Sequence, residues 1–106
     1  MKLVVGGVHQ GKTAFAHTLS EHVCDDLHRL IREWMQSGED LQEQVAQIEK
    51  TYADGVITVA EVGCGLVPMD AFEREYRETV GRISCELAAQ AAEVYRITCG
   101  IAVRIK

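Results

Sequence analysis

Gly6-Gly7-Val8-His9-Gln10-Gly11-Lys12-Thr13 fills every fixed position of the pattern GxxxxGK[ST], and its flanks decide the fold. Leu3-Val4-Val5 before it is a short apolar run that reads as a buried strand, and the segment from Thr13 onward reads as a helix. That order is what the pattern needs. Gly6 and Gly11 permit backbone angles that other residues resist, so successive N–H groups turn inward around a phosphate. The helix that follows adds its positive N-terminal end. Lys12 then reaches the β- and γ-phosphates, and the Thr13 hydroxyl holds Mg²⁺. The expected ligand is a nucleoside triphosphate, contacted by Gly6, Gly7, Val8, His9, Gln10, Gly11, Lys12 and Thr13. Either ATP or GTP fits, because no base-contacting motif is legible.

Global properties narrow the class. A chain of 106 residues is expected to form a single domain, 1–106, with one modest core. Hydrophobic residues make up 47% and charged residues 25%, as in ordinary soluble domains. A net charge of −5 and a pI near 5.3 argue against a nucleic-acid partner, which would want a basic face. No apolar run approaches the roughly 18 residues that span a bilayer. The N-terminus reads as strand and loop, without a signal-peptide core, so a cytoplasmic location is expected and no membrane partner.

Cys24, Cys64, Cys85 and Cys99 form no CxxC pair, and they are read as buried or half-buried thiols without a zinc ion or disulfides. His9, His17, His22 and His28 form no HxxxH or HExxH set. His17 and His22 would diverge by roughly 140° on a helix, too far to share a metal, and are read as surface residues.

Helical stripes follow the loop. Phe15, Leu19 and Val23 recur at i, i+4, i+8 on a first helix. Asp25-Asp26 interrupts, and either residue suits the cap of a second helix with face Leu27, Leu30, Ile31 and Trp34, ending at Ser37-Gly38. Asp40 with Glu43 opens a third, with stripe Leu41, Val45, Ile48 and Tyr52. After the Asp54-Gly55 turn, Val56-Ile57-Thr58-Val59-Ala60 is a strand buried on both faces. Gly63–Pro68 is a loop. Asp70 with Glu73 starts the longest helix, with stripe Phe72, Tyr76, Val80, Ile83, Leu87 and Ala91, and Glu73/Arg77, Arg74/Glu78 and Glu78/Arg82 pairing on a solvated face. Val94–Cys99 and Ile101–Ile105, separated by Gly100, are the last strands, the second a half-exposed edge. The order β-α-α-α-β-α-β-β gives an α/β class: a small three-layer P-loop NTPase-like fold with a mainly parallel sheet and a C-terminal edge strand.

Glu61 lies just past the carboxyl end of the 56–60 strand, where open parallel sheets bind ligands. Such a carboxylate either orients an acceptor hydroxyl or Mg²⁺-bound water, a catalytic role beside Lys12, or is satisfied by N–H groups of its own glycine-rich loop.

Two blocks resemble the adenosylcobinamide kinase/adenosylcobinamide-phosphate guanylyltransferase family of cobalamin biosynthesis. The first is Val5–Thr13, similar to that family's phosphate loop with its leading Gly-Gly. The second is Glu61-Val62-Gly63-Cys64-Gly65-Leu66-Val67-Pro68, similar to the family's Asn-Glu-Val-Gly-x-Gly-Ile-Val-Pro segment. It continues through Arg74, Tyr76-Arg77-Glu78, Gly81-Arg82 and Leu87-Ala88 to Gly100–Lys106.

The resemblance implies a kinase transferring the γ-phosphoryl of ATP or GTP to the hydroxyl of adenosylcobinamide. Cys24-Asp25-Asp26-Leu27 aligns with a family strand ending in a magnesium-side Asp, which puts Asp25 beside Thr13 as a metal ligand. The family's Asn before the Glu is Ala60 here. The long segment carrying the family's guanylylated histidine has no equivalent, so guanylyl transfer is expected to be lost, and His28 is not expected to replace that residue. The alternative is a non-catalytic nucleotide-binding paralogue acting as sensor or subunit. A homo-oligomer is expected, both from the uncovered sheet edge and because the family forms trimers.

Overall fold

Val56-Ile57-Thr58-Val59-Ala60 has no exposed position, and the computed structural model, which describes residues 1–62 and 70–106, buries all five as an inner strand. The elements in chain order are β1 (Lys2–Gly6), α1 (Lys12–Leu19), β2 (Val23–Cys24), α2 (Leu27–Ser37), α3 (Leu41–Thr51), β3 (Val56–Ala60), α4 (Ala71–Gln90), β4 (Glu93–Thr98) and β5 (Ile101–Arg104). The sheet order is β2-β3-β1-β4-β5. β1 lies between two parallel partners, with Val4 opposite both Thr58 and Tyr95, and only β5 runs antiparallel. The Gly63–Pro68 loop, with Cys64, lies outside the described residues.

Alternation along the strands sorts two cores. Val4, Val56 and Ile97 face α1 and pack on Ala16, Phe15 and Leu19. Leu3, Ile57, Val59 and Val94 face the other way, onto Leu27 and Ile31 of α2, Val45 of α3 and Tyr76, Val80, Ile83 and Leu87 of α4. The result is the expected α/β fold in three layers.

The helix ends follow their sequence signals. Asp40 Oδ1 accepts from the Glu43 N–H at 3.3 Å, and Asp70 Oδ1 accepts from Phe72 and Glu73 N–H at 2.8 and 3.2 Å. Gly38 closes α2 at φ 72°, and the Glu39 N–H returns to the Trp34 carbonyl.

Three expectations need correction. Val23 is not on the first helix: α1 ends at Leu19, and Val23-Cys24 is a strand pairing with Val56-Ile57. Gly55 permits this docking. A Cβ there would sit 2.4 Å from the His22 carbonyl oxygen, which accepts the Val56 N–H at 3.0 Å. Glu73 does not pair within α4 alone: besides the charge of Arg77 it has a two-pronged pair with Arg32 of α2 at 2.6 and 2.9 Å. The edge strand turns its large side chains outward. Ile101, Val103 and Ile105 are 67, 57 and 59% exposed, while Ala102 packs on the α1-side core.

Leu87 is fully buried on the inner face of α4. Leu87→Ala is expected to lower the unfolding free energy by about 2–5 kcal/mol, and Val103→Ser on the exposed edge by no more than about 0.5 kcal/mol; urea titrations of the three proteins compare them.

Candidate functional site

Parallel strands bring the carboxyl ends of β1, β3 and β4 to one edge, and the 7–11 segment turns there into α1. His9 and Gly11 hold left-handed backbone at φ 60° and 91°. Gly6 has no room for a side chain, because a Cβ would meet the Ile97 carbonyl oxygen at 2.7 Å. Lys12 is 6% exposed, and its ammonium folds back to donate to the Gly7 carbonyl at 2.8 Å. Gln10 ties the turn to the β4–β5 connection. Its carbonyl accepts from Gly100 N–H at 2.9 Å and its side-chain oxygen from Cys99 N–H at 2.5 Å. The ammonium and the turn's N–H groups make a compact positive cradle of the kind that takes an anion.

Asp25 sits against this cradle. Its Oδ1 accepts from the Thr13 hydroxyl at 2.8 Å and from the Thr58 hydroxyl at 2.6 Å. Thr58 Oγ1 in turn accepts the Asp26 N–H at 2.8 Å, so the hydroxyl buried inside β3 is fully used. β2 and β3 therefore aim the carboxylate, and the brevity of β2 does not loosen it. A hydroxyl beside a carboxylate is a hard-oxygen pair suited to a divalent cation such as Mg²⁺, which draws its other ligands from water and phosphate. Among the described residues no three His, Cys, Asp or Glu side chains gather as a further metal cluster. Neither aspartate caps α2 through its side chain. Asp26 occupies the cap position in left-handed backbone, and its carboxylate lies 3.6 Å from Arg29.

Glu61 follows β3 directly, its N–H donating to the Gly6 carbonyl at 2.8 Å, which sets it beside the loop. Its Oε2 pairs with Arg96 of β4 at 3.2 Å. The alternative partners within Gly63–Gly65 lie outside the described residues.

Two open cavities meet here. One, about 330 Å³, is lined by the loop with Asp26, His28 and Arg29. The other, about 460 Å³, is lined by Arg32, Glu61, Glu73, Tyr76 and Arg77, and shares Val8, His28 and Arg29 with the first. A groove of about 500 Å³ between α3 and α4 is larger but is lined away from these groups, by residues such as Leu41, Val45 and Ile83.

His28 is pinned from two sides. Its Nδ1 accepts the Ala60 N–H at 3.1 Å, and its carbonyl accepts the Tyr76 hydroxyl at 3.0 Å. Burial lowers its pKa below 6.5; Lys12 and Arg29 push the same way, against Asp26 and Asp25. Arg32 lies over the Tyr76 ring at 4.1 Å while bound to Glu73, making a rigid wall for the second cavity.

The sequence reading gave no site role to Arg29, Arg32, Thr58 or Arg96, set His28 aside as a nucleophile, and read Glu73 and Tyr76 as parts of the long helix. Only Thr58 carried a signal, a hydroxyl within an otherwise apolar inner strand. His9 lies in the loop and lines the first cavity, while two histidines lie apart: His17 is exposed on α1, and His22 is exposed and stacked on Tyr52 at 4.4 Å. Of the thiols, Cys24 is buried and raised to about 11 by burial and by Asp25, whereas Cys85 and Cys99 are exposed rather than buried or half-buried as expected.

The family model for cobinamide kinase / cobinamide phosphate guanyltransferase matches residues 22–105, a span that begins after the 6–13 loop. The bifunctional adenosylcobalamin biosynthesis protein CobU of Escherichia coli is 37% identical over 67 residues, which cover 63% of this chain and 37% of the relative. The protein of the same name from Salmonella typhimurium is 37% identical over 68 residues, 64% of this chain and 38% of the relative. The matched part thus spans under two fifths of these curated relatives.

His28 sets a pH dependence. Its folded-state pKa is depressed, so below about pH 6.5 the unfolded chain binds the proton first. Stability from this group is complete above that value and drains away as pH falls toward the folded-state pKa. Urea denaturation at pH 7.5 and 5.5 is expected to show a larger loss in wild type than in His28→Gln.

Proposed function

Because the chain belongs to the cobinamide kinase / cobinamide phosphate guanyltransferase family, we propose that it binds ATP or GTP in the Gly6–Thr13 loop and transfers the terminal phosphoryl group to the hydroxyl of adenosylcobinamide. The observation that carries the reading is the Thr13–Asp25–Thr58 hydrogen-bond chain beside buried Lys12. Thr13 and Asp25 would hold Mg²⁺, which when bound neutralises phosphate charge. Lys12 leaves the Gly7 carbonyl for the β- and γ-phosphate oxygens, and loop N–H groups hold the rest.

In the transfer, a bond forms between the acceptor oxygen and the γ-phosphorus as the bond to the β–γ bridging oxygen breaks. The hydroxyl proton passes to Glu61, whose carboxylate is steadied by Arg96. The diphosphate leaves with the bridging oxygen.

Guanylyl transfer is lost in this reading. A histidine nucleophile needs a free ring lone pair aimed at the α-phosphate. His28 Nδ1 is occupied by Ala60 N–H, the His22 ring nitrogen lies 2.9 Å from the Thr51 carbonyl, and His17 is on the outer surface of α1, which leaves His9 of the loop as the imidazole that labelling with GTP is expected to find unmodified. The exposed Ile101, Val103 and Ile105 on the sheet edge support a homo-oligomer.

A second reading, a nucleotide-binding paralogue without turnover, draws support from the Arg96 pair on Glu61, which competes with a role as proton acceptor. Wild-type protein that binds nucleotide yet phosphorylates neither cobinamide nor water would establish it.

Lys12→Ala is expected to reduce triphosphate affinity about 100-fold by calorimetry, from two lost charge-assisted contacts, with an unchanged circular-dichroism spectrum. Glu61→Gln is expected to leave nucleotide affinity within about twofold and slow transfer to cobinamide by about 100-fold. A drop in melting temperature with turnover proportional to folded protein would instead assign Glu61 a structural role.

A further inference from the structure

The first turn of α2 carries two adjacent side chains, His28 and Arg29, that line both cavities at once. A backbone N–H only donates, so the hydrogen bond from Ala60 N–H at 3.1 Å consumes the Nδ1 lone pair of His28. In the neutral ring the proton then resides on Nε2. The opposite ring edge, bearing Nε2–H, is the one left to face the junction between the cavities. The Tyr76 hydroxyl on the His28 carbonyl prevents the residue from backing away. Arg29 stands next to it with a 74% exposed side chain and only a 3.6 Å approach to Asp26, which leaves the guanidinium room to swing over the opening.

We infer that His28 and Arg29 grip the terminal phosphoryl group of a bound nucleoside triphosphate, the His28 Nε2–H and the Arg29 guanidinium each donating to its non-bridging oxygens. The inference rests on the reading of the Gly6–Thr13 loop as a triphosphate site and adds to it the device that tells triphosphate from diphosphate. Three features fit it. The two residues lie where the loop cavity opens into the second cavity, the position a group in transit must pass. Both present donors and no acceptor toward that point, matching a group that carries negative charge on every peripheral oxygen. The imidazole is held as a donor, so it stabilises the phosphoryl group without competing for it as a nucleophile.

Isosteric substitutions separate this role from a structural one. Asn at position 28 keeps an acceptor where Nδ1 takes the Ala60 N–H but loses the far donor; Gln reaches the Nε2 position with an N–H. Affinities are measured by calorimetry for adenosine and guanosine diphosphates and for their β,γ-imido triphosphates. His28→Asn and Arg29→Ala are each expected to weaken triphosphate binding about tenfold, the scale of one charge-assisted hydrogen bond, and diphosphate binding less than about threefold. His28→Gln is expected to keep most of the triphosphate preference.

Equal losses for both nucleotides in His28→Asn and Arg29→Ala would overturn the inference while leaving the loop reading intact. Wild type that binds neither nucleotide overturns both. A second measurement does not depend on any variant folding. Imidazole ¹⁵N spectra of wild type should show the Nε2–H tautomer of His28, with its Nε2 resonance moved by the imido triphosphate and not by the diphosphate. An Nδ1–H tautomer, or equal responses to the two, refutes the proposal.

Discussion

The parallel pairing of β1 with β3 on one side and β4 on the other is the constraint on which the remaining geometry depends. Register fixes Gly6 opposite Ala60 and Ile97, so three strands end level, and whatever follows each of them is delivered to one place. The glycine-rich turn follows β1, Glu61 follows β3, and the Cys99-Gly100 turn follows β4. Parallel strands also require crossovers, and α1 supplies one on one face while α2 with α3, and α4, supply the others on the opposite face. The two packed cores are the consequence of that connection rule, and they keep the strand ends from shifting relative to one another.

Close backbone approach does the finer work. Among the described residues, two glycines stand where a side chain would collide with a carbonyl oxygen: Gly6 against Ile97 and Gly55 against His22. The first lets β1 and β4 close under the loop. The second lets the two-residue β2 dock on β3, and β2 is what delivers Asp25 to Thr13. A strand so short contributes little burial by itself. Its position is held by the Val56–His22 backbone bond and by the Thr58 hydroxyl, which bridges Asp25 and the Asp26 N–H.

Most of the fold was legible because it rests on local signals. The inner strand 56–60 is unbroken by charge, α3 and α4 announce themselves through Asp40 and Asp70, and Gly38 ends α2 where the apolar stripe stops. β2 was not legible from the residue pattern, since Val23 also satisfies the i+8 position of the α1 stripe and two residues carry no period; only the family resemblance, through Cys24-Asp25, implied a strand there. At the site, the loop pattern and Glu61 could be read from motif and placement. His28, Arg29 and Arg96 could not, because their significance lies in what distant segments put beside them. Arg96 reaches Glu61 across 35 positions, and His28 meets Ala60 across 32. A single sequence records no such distances. The Arg32–Glu73 pair was missed for a related reason: helical spacing offers Glu73 a partner at i+4, and the packing of α2 on α4 adds a guanidinium with both donors aligned.

Gln10 is bonded to Cys99 and Gly100, a separation of 89 and 90 positions along the chain. The glycine-rich turn is made well before β4 during synthesis, and it lacks these partners until β4 has been made and has reversed direction. Contacts so distant in sequence form late, after the intervening chain has closed its loops. The turn is therefore fashioned at the end of assembly and not at its beginning. A nascent or partly folded chain would carry the whole glycine motif and have no shaped cradle, so the anion site would belong only to the finished sheet.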